Sequence, residues 1–378
     1  MLNLITLSIP AFFILIAAEL LIDRMKKSNL YRLNDTVSNL SSGIISQVVG
    51  VFTKIVTIGV YIWIYNNFRI LKNIPNEWYT WILLFIGVDF FYYWFHRLSH
   101  EVSVLWGTHV VHHQSEEYNL SVALRQSATQ TFGSFWFYLP LAFIGFSPTL
   151  FATIAAIQTL YQFWIHTRLI DKMPIWFEYV LNTPSHHRVH HGVNPKYIDK
   201  NHGGTLIIFD RIFGTFQQEE EEVHYGITSQ LKSWNIAVAN FDYYGWIIQQ
   251  LSKVKNAKDF FLVLIRKPGW RPAYLGGAIV PKEIDTQRQL YDAQSNRNVH
   301  IYIVFQFALL LAFASFFLFG VGDAEHPKFN TLQKYISTFF IIFSVINIGG
   351  LFENKNWSKP AEVIRLICIP IVLYILLH

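Results

Sequence analysis

Ten of the fifteen histidines lie between His96 and His191, and their spacing is the first chemical signal in the chain. His96 and His100 stand four apart. His109, His112 and His113 form an H-x-x-H-H pattern, which His187, His190 and His191 repeat, and His166 closes an apolar run. Residues three and four apart share a helix face, so each cluster can aim two or three imidazoles at one point. Nitrogen then meets a metal ion at about 2.0–2.1 Å. Eight clustered imidazoles exceed the needs of one ion, and two metal ions are the economical reading. The lone cysteine, Cys368, excludes a disulfide and a thiolate site, leaving nitrogen and oxygen ligands. Imidazole suits zinc, copper, iron and nickel alike, so ligand type leaves the metal open.

Two carboxylates join the histidines as candidate catalytic groups. Asp89 stands seven residues before His96, two helical turns away on the same face. A carboxylate inside an apolar helix needs a partner, either a ligand imidazole to orient or a capping or interhelical hydrogen bond. Glu101 directly follows His100 and is placed to bind metal, relay a proton or meet a reductant. His186 and His202 are ambiguous, whereas His224, His300, His326 and His378 read as isolated surface or core residues.

The elements that position these groups are membrane spans. Of 378 residues, 52% are hydrophobic and only 15% charged, against about 25% in soluble domains. Apolar runs cover 4–22, 43–65, 78–95, 132–145, 148–165, 301–319, 335–350 and 363–377. A span needs about 20 such residues, so the fourth and fifth, joined at Pro148, are either short spans or a hairpin that does not cross fully, and both return the chain to the side it left. Arg24, Lys26, Lys27 and Arg32 follow the first run, which by the positive-inside rule makes that side cytoplasmic. Counting crossings puts all nine histidines on it. The first run lacks the flanks of a signal peptide and reads as a retained span. The net charge of +5 marks topology and lipid headgroups, with no aromatic-interleaved basic stripe for nucleic acid.

The expected fold is all-α: a polytopic membrane helical bundle with a cytoplasmic helical cap carrying a histidine-rich di-metal site. Its divisions are N-terminal spans (1–77), a catalytic region (78–230), a polar cytoplasmic segment (231–299) and C-terminal spans (300–378). The run Glu219–Glu222 reads as a solvated face, and the stretch from Lys253 to Arg297 as a surface loop.

The histidine series, with the stretches 96–101, 112–120, 124–126, 181–192 and 209–216, resembles the fatty acid hydroxylase / sterol desaturase superfamily, and within it alkylglycerol monooxygenase-like proteins. The resemblance implies a di-iron centre, with zinc able to replace iron in preparations. Its ligands would be His96, His100, His109, His112, His113, His187, His190 and His191, with His166 as a further one. It implies O2-dependent hydroxylation or desaturation of an unactivated C–H bond in a lipid. In the alkylglycerol branch that carbon adjoins an ether oxygen, the hemiacetal collapses to an aldehyde, and tetrahydrobiopterin supplies electrons. A sterol or carotenoid-type desaturase or hydroxylase is the alternative within the superfamily; a zinc hydrolase or metal transporter lies outside it. His202 departs from the family pattern, which often carries an aromatic there.

Overall fold

The computed structural model describes residues 4–280, 289–292, 295–322 and 328–377. His326 and His378 lie outside them. Fourteen α-helices run in chain order among these residues. The first seven are α1 (Leu4–Lys26), α2 (Leu33–Phe68), α3 (Trp78–Glu101), α4 (Ser103–His113), α5 (Gln130–Ile144), α6 (Pro148–Trp164) and α7 (Ile175–Val180). Next come α8 (Pro184–His190), α9 (Ile208–Ile212), α10 (Ile236–Leu251), α11 (Ala257–Ile265), α12 (Arg297–Gly322), α13 (Thr331–Phe352) and α14 (Ser358–Leu377). The described residues contain no strand, only an isolated bridge between Leu181 and Leu206.

Five helices, α1, α2, α12, α13 and α14, are long and apolar enough to cross a bilayer. At 1.5 Å per residue, α5 and α6 reach only about 22 and 25 Å, short of a hydrocarbon core of about 30 Å. They form a hairpin. Gly145 ends α5 at φ 119°, and a Cβ there would stand 2.2 Å from the Leu71 carbonyl oxygen. Ser147 then caps α6 by accepting from the Leu150 amide, with Pro148 in its first turn.

Helix α2 begins ten residues ahead of the expected span and runs for 36 residues, about 54 Å. Its opening turns outreach the hydrocarbon and turn Asp35, Ser38 and Asn39 inward, all buried. Farther along, Val37, Ile44, Ile45 and Val48 pack with Phe307, Leu310, Ile341 and Val345 of the C-terminal spans. A second core joins α2 to α3, α5 and α6 through Tyr61, Leu84, Leu141 and Ile154. The histidine-bearing helices sit at one end of this bundle.

Candidate metal centre

Helix α3 delivers His96 and His100, α4 delivers His109, His112 and His113, and His166 follows the last turn of α6. Helix α8 starts where the Thr183 hydroxyl accepts from the His186 amide, with Pro184 in its first turn. It carries His187 and His190 and is capped by His191. The nine imidazoles converge as two groups, His96, His100, His109, His113 and His190 in one, His112, His166, His187 and His191 in the other. Within each group the offered ligand atoms lie within 4.8 Å of one another.

The division cuts across the sequence clusters. Histidines four apart share a site: 96 with 100, 109 with 113, 187 with 191. Those one or three apart are split, so each H-x-x-H-H pattern serves both sites rather than one point. A step of four rotates a helix by about 40°, against about 100° for a step of one.

Hydrogen bonds fix how several rings are presented. Nδ1 of His96 donates to the His202 carbonyl at 2.7 Å, that of His112 to Arg125 at 2.9 Å, and that of His166 to Gln162 at 2.7 Å. His190 bonds the Lys200 carbonyl in the same way at 2.9 Å. A carbonyl only accepts, so each Nδ1 carries the proton and each neutral ring leaves a bare lone pair on Nε2. Yet Nε2 of His112 and Nε2 of His166 stand 3.3 Å apart, with no hydrogen between them. Two facing lone pairs repel unless a cation lies near both. Ligands at 2.1 Å and 90° around one ion are about 3.0 Å apart. The Nε2 contacts of His109 with His96 and His113, at 3.0 and 3.2 Å, and of His187 with His166, at 3.0 Å, match that spacing. The donor set therefore fits a metal ion in each group.

A proton is a poor substitute for that cation. Burial pushes the His112 imidazole down to about 4; it also holds His113, His187, His190 and His191 well below the ordinary value, where neighbouring imidazoles add to the effect. Neutral imidazole is the metal-binding form.

The chain matches the family model described as "Fatty acid hydroxylase" over residues 81–215, the region that holds all nine converging histidines. An alkylglycerol monooxygenase of Danio rerio is 38% identical over 373 residues, covering 98% of this chain and 81% of its own. That of Xenopus tropicalis is 41% identical over 357 residues, covering 94% and 78%. That of Homo sapiens is 38% identical over 362 residues, covering 94% and 79%. The chain belongs to the alkylglycerol monooxygenase family. No solved structure matches it.

As a monooxygenase of this family, the chain surrounds its histidines with a shell of buried polar groups, many of them hydrogen-bonded to one another. Asp89 does not meet an imidazole. Its two carboxylate oxygens accept from the Thr205 and Leu206 amides, both at 2.8 Å. Asp210 holds the His202 and Gly203 amides, both at 2.7 Å, and burial pushes its carboxyl up to about 6. Two carboxylates thus clamp the 202–206 loop whose carbonyl orients His96. Asp89 thus accepts from backbone amides, as in the capping or interhelical alternative, instead of orienting an imidazole.

Arg125, whose carbonyl orients His112, is wholly buried and bonded to the Val111 carbonyl, Ser38, Asn39 and Gln114. Burial brings its guanidinium down to about 10. Glu19 of α1 reaches the Leu120 amide and the Thr167 hydroxyl beside His166. Neither Glu19 nor Arg125 announces itself by spacing; the signal for Glu19 is a carboxylate that falls within the apolar run of α1. Glu219, expected to be solvated, turns inward to Arg188 of α8, whereas Glu220, Glu221 and Glu222 are exposed.

Glu101 pairs with Arg97 at 3.1 Å and is partly exposed at the edge of the cluster, outside both ligand groups. His186 is buried against Phe216 and is likewise in neither group. His202 is fully buried, with ring centroids 5.2 Å from His100 and 5.6 Å from His96 and His190. Neither of its ring nitrogens finds a hydrogen-bond partner among the described residues.

Proposed function

We propose that this monooxygenase holds two iron ions in its nine imidazoles and hydroxylates an ether lipid of the alkylglycerol class. The facing, proton-free Nε2 atoms of His112 and His166 carry the metal reading. The names and high coverage of the relatives support the substrate class. Bound iron would supply the activation of dioxygen and the cleavage of the C–H bond. The balanced reaction takes the lipid, O2, two electrons and two protons to water and a hemiacetal at the carbon beside the ether oxygen. That hemiacetal then collapses to a fatty aldehyde and the glycerol product.

The chain's own groups orient and enclose. Backbone carbonyls of His202, Arg125, Gln162 and Lys200 keep four ligand rings in one tautomer. No ligand histidine is more than 8% exposed, which keeps bulk water from the reacting carbon. Glu101, beside His100 yet open to solvent, is suited to meet the reductant, for which tetrahydrobiopterin is the candidate. The basic loop after α1 favours a cytoplasmic position for the histidines, within reach of a soluble electron donor.

One experiment tests the reading. Purified protein loaded with ferrous iron is given an alkylglycerol, a reduced pterin and ¹⁸O-labelled dioxygen, and the aldehyde is trapped at once as the alcohol. Labelled product that vanishes without oxygen, and with His112→Ala, is expected. Product formed anaerobically, or an unaltered rate in His112→Ala, overturns it.

A further inference from the structure

The segment expected to be polar, residues 231–299, contains α10 and α11, two helices whose outward faces are apolar. Phe241 and Ile248 of α10 are 63% and 66% exposed, and Phe261 and Ile265 of α11 are 61% and 57% exposed. Phe261 and Ile265 lie four apart, and Lys258 stands three residues before Phe261, so all three share one face. Between residues 236 and 271 there are six lysines and arginines against two aspartates, a net charge of +4. Asp259 is occupied by Asn256 and Tyr274. Lys253, Lys258 and Arg266 are exposed and meet no carboxylate among the described residues.

The fold fixes where this face sits. The Trp234 amide, ahead of α10, donates to Glu353 at the C-terminal end of α13. Asn240 accepts from the Ala128 amide just before α5. Tyr244 lies so close to α4 that a Cβ on Gly107 would stand 2.6 Å from its ring. Helix α10 therefore lies across the ends of α5 and α13 on the side that bears the histidines.

We propose that α10 and α11 form a headgroup-level docking surface for anionic lipid on the histidine side of the bilayer. Phenylalanine and isoleucine enter the boundary between headgroups and chains, and Lys253, Lys258 and Arg266 meet lipid phosphates. This surface touches the metal centre through its backbone. The Ser103 amide, at the start of the helix bearing His109, donates to the Arg266 carbonyl at 2.9 Å. Lys267 pairs at 2.9 Å with Asp199, whose carboxylate is 3.9 Å from His100. Lipid contact at α11 thus bears on the elements that hold the first ligand group.

The test needs no turnover, so it stands apart from the proposed reaction. The full chain with Cys368→Ser is given one nitroxide, through Phe261→Cys or, as the aqueous control, Glu220→Cys. It is placed in nanodiscs of phosphatidylcholine with or without phosphatidylglycerol. The label at 261 is expected to be relaxed more by oxygen than by a water-soluble nickel complex, and the label at 220 the reverse. Equal water access at both positions, as for a surface that binds a soluble protein, overturns the proposal. Enrichment of phosphatidylglycerol around the chain should fall roughly fivefold for each charge removed in Lys253→Gln, Lys258→Gln and Arg266→Gln. Enrichment that survives the triple variant also overturns it.

Discussion

Arg188 and Glu219 form a two-pronged ion pair, 2.8 Å at Nε and 2.7 Å at the terminal nitrogen, that ties the histidine helix α8 to a distant loop. The guanidinium also donates to the Thr167, Ile170 and Asp171 carbonyls. Arg188 thereby ties the segment after His166 to the helix bearing His187 and His191, all of one ligand group. Removing one partner of a largely buried pair leaves the other uncompensated, at about 3 kcal/mol. Glu219→Ala is expected to lower the thermal midpoint and to release metal from the four-histidine site first. Glu220→Ala, at an exposed carboxylate, serves as the control. Metal content per chain after chelator dialysis, with a melting curve, checks both.

Asp89 secures the loop that follows His202. An asparagine offers one oxygen where the aspartate uses two, so Asp89→Asn strands one of the Thr205 and Leu206 amides. A stranded buried amide costs about 1–3 kcal/mol. Stability should fall by that amount, with a further loss of kcat as the carbonyl orienting His96 shifts. KM for the lipid should hold. Chemical unfolding and steady-state kinetics on the same preparations separate the two effects.

Acid should destabilise the metal-free protein over a defined window. Burial, aided by Arg211, pushes the His186 imidazole down to about 4 from an ordinary value near 6.5. Between those values the unfolded chain binds the proton and the folded chain does not. The stabilisation is present above the unfolded value and is lost as pH falls toward 4. Each such histidine adds a slope of about 1.4 kcal/mol per pH unit. His186→Phe, which removes one of them without removing a ligand, should flatten the unfolding free energy against pH by that amount. An unchanged slope would show that His186 already carries its proton in the fold.

His202 presents a different balance. A buried imidazole with unpaired nitrogens costs about 1–3 kcal/mol in the metal-free protein. His202→Phe should therefore raise the stability of the metal-free form. Beside three rings of the five-histidine group, the same change should speed metal loss to a chelator about tenfold, as changes next to metal ligands do. Melting of the metal-free form and stopped-flow metal release read the two effects with opposite signs.

Much of the architecture was legible in the amino-acid order. Each of the eight apolar runs lies in a helix, and the Gly145–Pro148 turn folds as its residue types require. The eight histidines singled out by spacing, with His166 at the end of its apolar run, are the nine that converge. Composition and local periodicity suffice for this, because helix formation and hydrophobic burial are set by near neighbours.

Which histidine joins which group was decided only when helices packed. His112 and His113 are adjacent in sequence yet turn to different sites, because consecutive helical residues diverge by about 100°. Asp89 was visible as a buried carboxylate, but its partners are amides more than a hundred residues later, 205 and 206. The roles of Glu19, Arg125 and Glu219 were likewise hidden, since each acts on a backbone or guanidinium group brought near by tertiary contacts alone. The outward face of α10 and α11 belongs with them: lysines and phenylalanines in one stretch reveal no partner until the bundle fixes which side they are on. Sequence determined which imidazoles gather and which segments form long apolar helices; packing determined their grouping, tautomers and supports, because those depend on distances between segments that the chain order does not fix.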